Sequence, residues 1–446
     1  MKSTRVRHQS GQALPLALVL LAAVAATVFF MFNSGQLVQE KIRLTNTADA
    51  VAYSAGVMEA RVLNYDAYTN RAIIANEIAI GQAVGLASWA KYAGTSASNI
   101  SPWLYLIPYV GAVLAQIMDY IADIMDVITY LYAAAVTMHD GANYALKLSQ
   151  YAVHGPANTI ALASRWSVMR EVARKNDPDV EVDMLPLSDD FMGFTQRYAS
   201  KDERKRMGRV VNDSRDTFMR SRNWNLGLVI LCTGAELRKR GSTELIDLTE
   251  GWSSMDTLSA HTYRLTFRWG RPRCRHSEIP IGYGKAYSDD GLDDSGVDFA
   301  GSRSTNPSAS SSADSTIAEG FEPYTLAGGA IPEFYDLSES VLANAGADPR
   351  TTLAIRVSKP SVKQRFSGGS SQVKPTGRLA LYDGAHARSE SAAIARVEVF
   401  FERPDRNNNG HEEYGSLFNP YWQARLAPVS ATQRAIAQLK QGLALP

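Results

Sequence analysis

Residues 13–32 read ALPLALVLLAAVAATVFFMF, a run of 20 residues without one charged side chain. As a helix it is about 30 Å long, the hydrocarbon thickness of a bilayer. Pro15 falls in the first turn, where its missing N–H costs least. The residues before the run carry Lys2, Arg5 and Arg7 and no acid. Positive flanks stay in the cytoplasm, so the basic leader 1–12 is expected inside and everything after Phe32 outside. The competing reading is a cleaved signal peptide, for which Ala23-Val24-Ala25 has the shape of a cleavage site. Apolar residues continue through Phe29, Phe30, Met31 and Phe32, past a usual signal core, and favour a retained anchor.

Downstream of the run, residues 33–175 read as helix. Gln36–Arg43 is polar, and an Ala-rich stretch follows. Ala48, Ala52, Gly56 and Ala60 share one helical face, small enough to let another helix approach closely, and Gly81-x-x-x-Gly85 repeats the theme. An unbroken helix from Ala13 to Ala93 would be on the order of 120 Å long. Breaks near Asn33-Ser34-Gly35 or Gly81 are expected instead. Trp103–Met118, WLYLIPYVGAVLAQIM, is a second apolar stretch of 16 residues. It is short for a span and reads as a buried or membrane-surface hairpin, with a second crossing as the alternative.

Strand patterns appear later. Thr262–Trp269 alternates, with Tyr263, Leu265, Phe267 and Trp269 on one face. Leu353-Ile355-Val357 and Val397-Val399-Phe401 repeat the half-buried pattern, and Arg378–Tyr382 is a weaker candidate. Residues 286–320 are full of Ser, Asp and Gly and are expected to form a flexible loop or linker. They separate a first part (176–285) from a second part (321–446) of an extracytoplasmic domain. The chain ends in a helix, Ala431–Leu443, with Ser430 and Gln433 at capping-box spacing. The fold class expected is α+β: a transmembrane helix, a long Ala-rich helical region, then a mixed domain with antiparallel strands.

Composition excludes more than it selects. The net charge is +1, and the basic run Lys201–Arg206 is interleaved with acids, so nucleic acid is not an expected partner. Two cysteines, Cys232 and Cys274, exclude a multi-cysteine metal cluster. In an oxidising compartment the two are a candidate disulfide; two separate buried thiols are the alternative. No phosphate loop, dinucleotide fingerprint, zinc-protease motif or nucleophile elbow is present, and no catalytic residue and no cofactor is assigned. Two polar motifs have oxygen ligands in cation-binding order. Asp336, Ser338 and Ser340 form D-x-S-x-S, but Pro332 and Glu333 interrupt any strand before them, and a helix cap reads as well. Asp405, Asn407 and Asn409 start a D-x-N-x-N-G calcium loop whose twelfth position is Ser416 rather than Glu; a polar turn is the plainer reading.

Gly11-Gln12-Ala13 before the apolar run, then Arg43-Leu44 and Ala48-Asp49-Ala50-x-Ala52, resembles the TadE/TadG-like family of Tad (tight adherence, Flp) pilus-assembly proteins. Asn64-Tyr65-Asp66-Ala67-Tyr68-Thr69-Asn70-Arg71 is similar to the longer, TadG-related branch. The resemblance covers about the first 85 residues. It implies a non-enzymatic accessory component of an envelope pilus or type II secretion-like machine. The expected site is the bacterial inner membrane, with a single pass and the bulk of the chain periplasmic. The implied partners are the lipid bilayer, pilus-assembly or secretion membrane proteins, pilin-like subunits and copies of the chain itself. It also makes Gly11–Gln12 a candidate prepilin-peptidase site, although the residue five places into the mature chain is Leu16 and not the pilin Glu. Some relatives in this family carry von Willebrand A domains, which gives Asp336–Ser340 its interest. A membrane-anchored metal-dependent adhesin is the alternative function.

Overall fold

A computed structural model describes residues 13–154, 160–268, 271–289, 291–318, 331–344, 348–360, 363–364, 390–402 and 414–442. In chain order the helices are α1 (Ala13–Leu104), α2 (Gly111–His154), α3 (Ile160–Asn176), α4 (Phe191–Phe194), α5 (Lys201–Asp213), α6 (Thr217–Arg220), α7 (Ser302–Thr305), α8 (Pro307–Ser315), α9 (Glu339–Asn344) and α10 (Ala431–Gly442). The strands are β1 (Glu181–Asp189), β2 (Thr195–Tyr198), β3 (Trp224–Ile230), β4 (Thr233–Ile246), β5 (Gly251–Arg268), β6 (Arg271–Tyr287), β7 (Phe334–Leu337), β8 (Arg350–Pro360), β9 (Glu390–Phe401) and β10 (Trp422–Ala427). The fold mixes helices with antiparallel sheets, as expected. The expected strands Thr262–Trp269, 353–357 and 397–401 lie in β5, β8 and β9, with Trp269 itself outside the described residues, as is Arg378–Tyr382.

The residues group into two units that interleave in sequence. The first is Met1–Asn64, Pro156–Thr195 and Leu337–Pro446; the second is Tyr65–Gly155 and Gln196–Asp336. The first unit's sheet draws β1 and β8–β10 from distant parts of the chain, and that scatters the unit along the sequence.

In the first unit four antiparallel strands stand in the order β1-β8-β9-β10. Alternation along β8 and β9 gives the sheet two apolar faces. Leu353, Ile355, Val357, Ala393, Ala395 and Val397 meet Leu44, Ala48, Ala52 and Ala55 of α1, with Met169 and Ala173 of α3 beside them. Ala354 and Ile394 point the other way, to Leu185 and to Ala437 of α10. The capping box of α10 forms: Gln433 N donates to Ser430 Oγ and Ser430 N donates to Gln433 Oε1, both at 3.1 Å.

In the second unit the order is β3-β4-β5-β6, a meander of hairpins. One face of β5 presents Met255 to Phe299 and to Ala313 of α8. The other face presents Trp252, Ser254 and Asp256 toward α1. There β6 lies so close to the helix that a Cβ on Gly284 would sit 2.3 Å from the Ser88 carbonyl oxygen. Residues 286–320, expected as a flexible linker, instead hold α7 and α8. The reason is that Phe299, Ala309 and Ala313 supply a small apolar face that the sheet buries.

Two helical expectations also change. The helix α1 runs without a break at Gly35 or Gly81. Gly81 is instead a contact point: its missing side chain makes room for Met219 and Trp252, which a Cβ would approach to 2.5 and 2.9 Å. The small face of Ala48, Ala52 and Gly56 meets a β-sheet as well as a helix. Trp103–Met118 is a hairpin, as expected, but its tip is not buried: α1 ends at Leu104, α2 starts at Gly111, and Trp103 is 72% and Tyr109 fully exposed. Like α1, α2 is long and apolar enough to cross a membrane.

Candidate functional site

The residues that stand out in the first 85 positions are the ones α1 uses to hold its sheets. Arg43 donates to the Asn176 carbonyl at 2.8 Å and lies 3.6 Å from Asp177. Asp177 also takes Lys359 of β8 at 2.9 Å, and Lys359 reaches Glu40 at 3.1 Å. Leu44, Ala48 and Ala52 are buried under β8 and β9. At Gly56 a Cβ would lie 2.3 Å from Val397 and 3.2 Å from Ala424.

In the stretch Asn64–Arg71 the side chains of Asn64, Thr69 and Asn70 pair with backbone or with amides. The Asn64 carboxamide both donates to Trp422 O, at 3.0 Å, and accepts from Trp422 N, at 2.9 Å. In the second unit Asn70 Nδ2 donates to the Tyr335 carbonyl at 2.8 Å, and Gln150 of α2 donates to Asn70 at 2.7 Å. Asp66, fully buried, meets His154 at 2.6 Å, and the Tyr335 ring stacks on that imidazole.

Buried charge is the second theme. Arg165 of α3 binds Glu59 of α1 and Asp189 of β1. Burial pushes the Glu59 carboxyl up to about 7, although Arg165 pulls it back. In the second unit Glu77 accepts from Asn143 at 2.6 Å and from the Trp252 indole at 3.3 Å. Burial drives it well above the carboxylate range, with Asp140 adding to the push. Asp256 differs. Burial raises it too, but Arg222 and Lys239 outweigh that and hold it below its ordinary value. Ser88 of α1 donates to its Oδ2 at 2.8 Å. These acids were not singled out from sequence. Their signal is spacing: Glu59, Asp66, Asn70, Glu77 and Ser88 recur at intervals of seven, four, seven and eleven, which places them on one helical face.

Of the two motifs read for cations, Asp336–Ser340 lies among the described residues. Asp336 is buried and pairs with Arg206 at 3.0 Å. Ser338 donates to Gly193 O at 2.8 Å and lies 3.1 Å from the Ser340 hydroxyl. Among the described residues no cluster of three His, Cys, Asp or Glu side chains could hold a metal ion. Asp405, Asn407 and Asn409, like Gly11 and Gln12, lie outside the described residues. Cys232, in the β3–β4 turn, is joined to Cys274 of β6 by a disulfide, with the Cα atoms 5.6 Å apart.

The geometry defines a class: a mixed helix-and-sheet protein whose first helix opens with apolar residues left bare and then becomes the buried support of its sheets. Leu14, Val19 and Phe32 are each more than 60% exposed, and the helix is long and apolar enough to cross a membrane. The Tad family model, described as Flp pilus-assembly TadE/G-like, matches residues 11–60. That segment is similar to the Tad family, and the match agrees with the resemblance carried by Gly11, Arg43, Leu44 and Ala48. No curated protein and no solved structure matches the chain.

Proposed function

We propose that the chain is a non-enzymatic, membrane-anchored accessory component of a Tad/Flp-type pilus-assembly machine. It acts through protein contacts made outside the cytoplasm. The observation that carries this reading is the match over residues 11–60 coinciding with the exposed apolar start of α1. In this reading Ala13–Phe32 crosses the inner membrane once, with the N-terminus cytoplasmic. A structural role agrees with how the conspicuous polar residues are used: Asn64, Asp66, Asn70 and Arg165 are all consumed in internal bonds. The metal-dependent adhesin alternative draws little from Asp336, which is neutralised by Arg206.

A clean deletion in the native host tests the role. Loss of pili or adherence, restored by the gene in trans, is the expected result; normal piliation overturns it. A reporter fused after Gln150 tests the topology. Extracytoplasmic signal is expected, and cytoplasmic signal there overturns the placement while leaving Ala13–Phe32 in the membrane.

A further inference from the structure

In the second unit α1 covers one face of the β3-β4-β5-β6 sheet only in part. Ser88 meets Asp256 of β5, and Asn99 Nδ2 donates to the Ile281 carbonyl of β6 at 3.0 Å, just before α1 ends at Leu104. The strands run on past that point. Register and alternation put Leu226, Leu228 and Ile230 of β3 and Ile279 of β6 on the same face, each between 53% and 68% exposed. Arg264 of β5 and Arg273 and Arg275 of β6 share that face and are exposed. From Tyr263 to Ser277 the chain has five arginines and no acid. Around the rest of the sheet the cations have partners: Arg222 and Lys239 meet Asp256, Arg238 meets Glu236 and Lys285 meets Asp294. Among the described residues Arg264, Arg273 and Arg275 form no ion pair. Arg264 also stands directly opposite Arg275. Like charges so placed weaken a strand pair, and an anion laid over both reverses the sign.

We propose that this bare end of the sheet is a docking surface for anionic phospholipid. It lies flat on a bilayer, with Leu226, Leu228, Ile230 and Ile279 at the acyl-chain boundary and the arginines at the phosphates. Two observations choose this occupant. First, the charge is of one sign, and a surface of uniform negative charge complements it. A protein partner is selected by charges of both signs set in register. Here the residues between are uncharged, such as Thr233, Ala235, Thr262 and Ser277. Second, apolar side chains and arginines stand side by side on one face. That is the arrangement of a membrane surface, where apolar groups sink in and arginine stems lie along them toward the headgroups. The proposal does not depend on the pilus reading.

The test uses the full-length chain in phosphatidylcholine nanodiscs, whose lipid covers Ala13–Phe32. The discs are sedimented with vesicles of phosphatidylcholine alone or mixed with phosphatidylglycerol at about three to one. Co-sedimentation is expected with the mixed vesicles only, and high salt is expected to remove it. Each of Arg264→Gln, Arg273→Gln and Arg275→Gln is expected to weaken it about five-fold, the equivalent of about 1 kcal/mol for one arginine near an anionic surface. Arg264→Lys, Arg273→Lys and Arg275→Lys together keep the binding, because a lipid surface reads charge and not the guanidinium fork. Leu228→Ser weakens it with no change of charge. All four side chains are exposed, so the fold tolerates these changes, and unchanged far-ultraviolet circular dichroism checks that. Equal sedimentation with both vesicles, or unchanged binding by the Gln variants or by Leu228→Ser, overturns the proposal. So does loss of binding in the Lys variant, which would mean that a carboxylate-bearing protein covers the face.

Discussion

Asn64 on α1 mimics a neighbouring strand to Trp422: one carboxamide satisfies both backbone groups of that residue, at 2.9 and 3.0 Å. It thereby caps the open side of β10 at its first residue; on its other side β10 pairs with β9. Replacing Asn64 by Ala leaves a buried N–H and C=O without partners. A loss of about 1–3 kcal/mol is expected, read as a lower urea midpoint, whereas Asn64→Gln restores only part of it.

Two glycines of the same helix separate contact from propensity. Gly56→Ala forces a methyl into Val397, and overpacking of this kind costs about 1–3 kcal/mol. At Gly35 nothing lies within 4 Å, so Gly35→Ala is expected to stabilise by about 0.5–1 kcal/mol through backbone entropy. Thermal unfolding of the two variants in one detergent checks the opposite signs.

Glu59 predicts a pH dependence. Its folded-state value of about 7 lies above its ordinary 4.5. Between those pH values the folded chain keeps a proton that the unfolded chain has released. Stability is therefore greatest below pH 4.5 and falls as pH rises to 7, by about 3 kcal/mol from this group. Glu59→Gln flattens that slope. Burial acts with the opposite sign on Lys41, lowered from 10.5 to about 7. There the unfolded chain holds the extra proton, and stability climbs from pH 7 to 10.5. Unfolding midpoints across both windows, for wild type, Glu59→Gln and Lys41→Met, separate the two.

The Cys232–Cys274 bridge spans 42 residues and ties the β3–β4 turn to β6. Closing a loop of that length restricts the unfolded chain by about 4 kcal/mol in the chain-entropy account. Reduction, or Cys232→Ser with Cys274→Ser, is expected to lower the unfolding midpoint of the second unit and leave the first unchanged. Hydrogen exchange resolved by segment measures this.

Much of the frame was legible in the sequence. Alternation marked Leu353–Val357 and Val397–Phe401, and the Ser430/Gln433 pair marked the start of α10. What failed has a common cause. The Ala and Gly positions of α1 reveal that something approaches closely but not what, since a sheet and a helix both need small residues. Gly81 reads as a breaker only when its partner Trp252, far along the chain, is unknown. Residues 299–313 look unable to bury themselves because the sheet that buries them lies elsewhere in sequence. The acids Glu59 and Glu77 resemble ordinary solvated helix positions until their partners Arg165 and Trp252 are in place.

The cover that β8 and β9 lay over α1 has a consequence in time. Ala48 is made early, and Val397, which seals the same face, comes about 350 residues later. At roughly 5–20 residues per second of synthesis, that gap lasts on the order of 20–70 s. Throughout it, α1 displays an apolar stripe that, of the elements packed on it, only α3 can begin to cover. A holding chaperone at the exit side is what such a delay calls for, and its loss should show first as aggregates nucleated by the nascent α1.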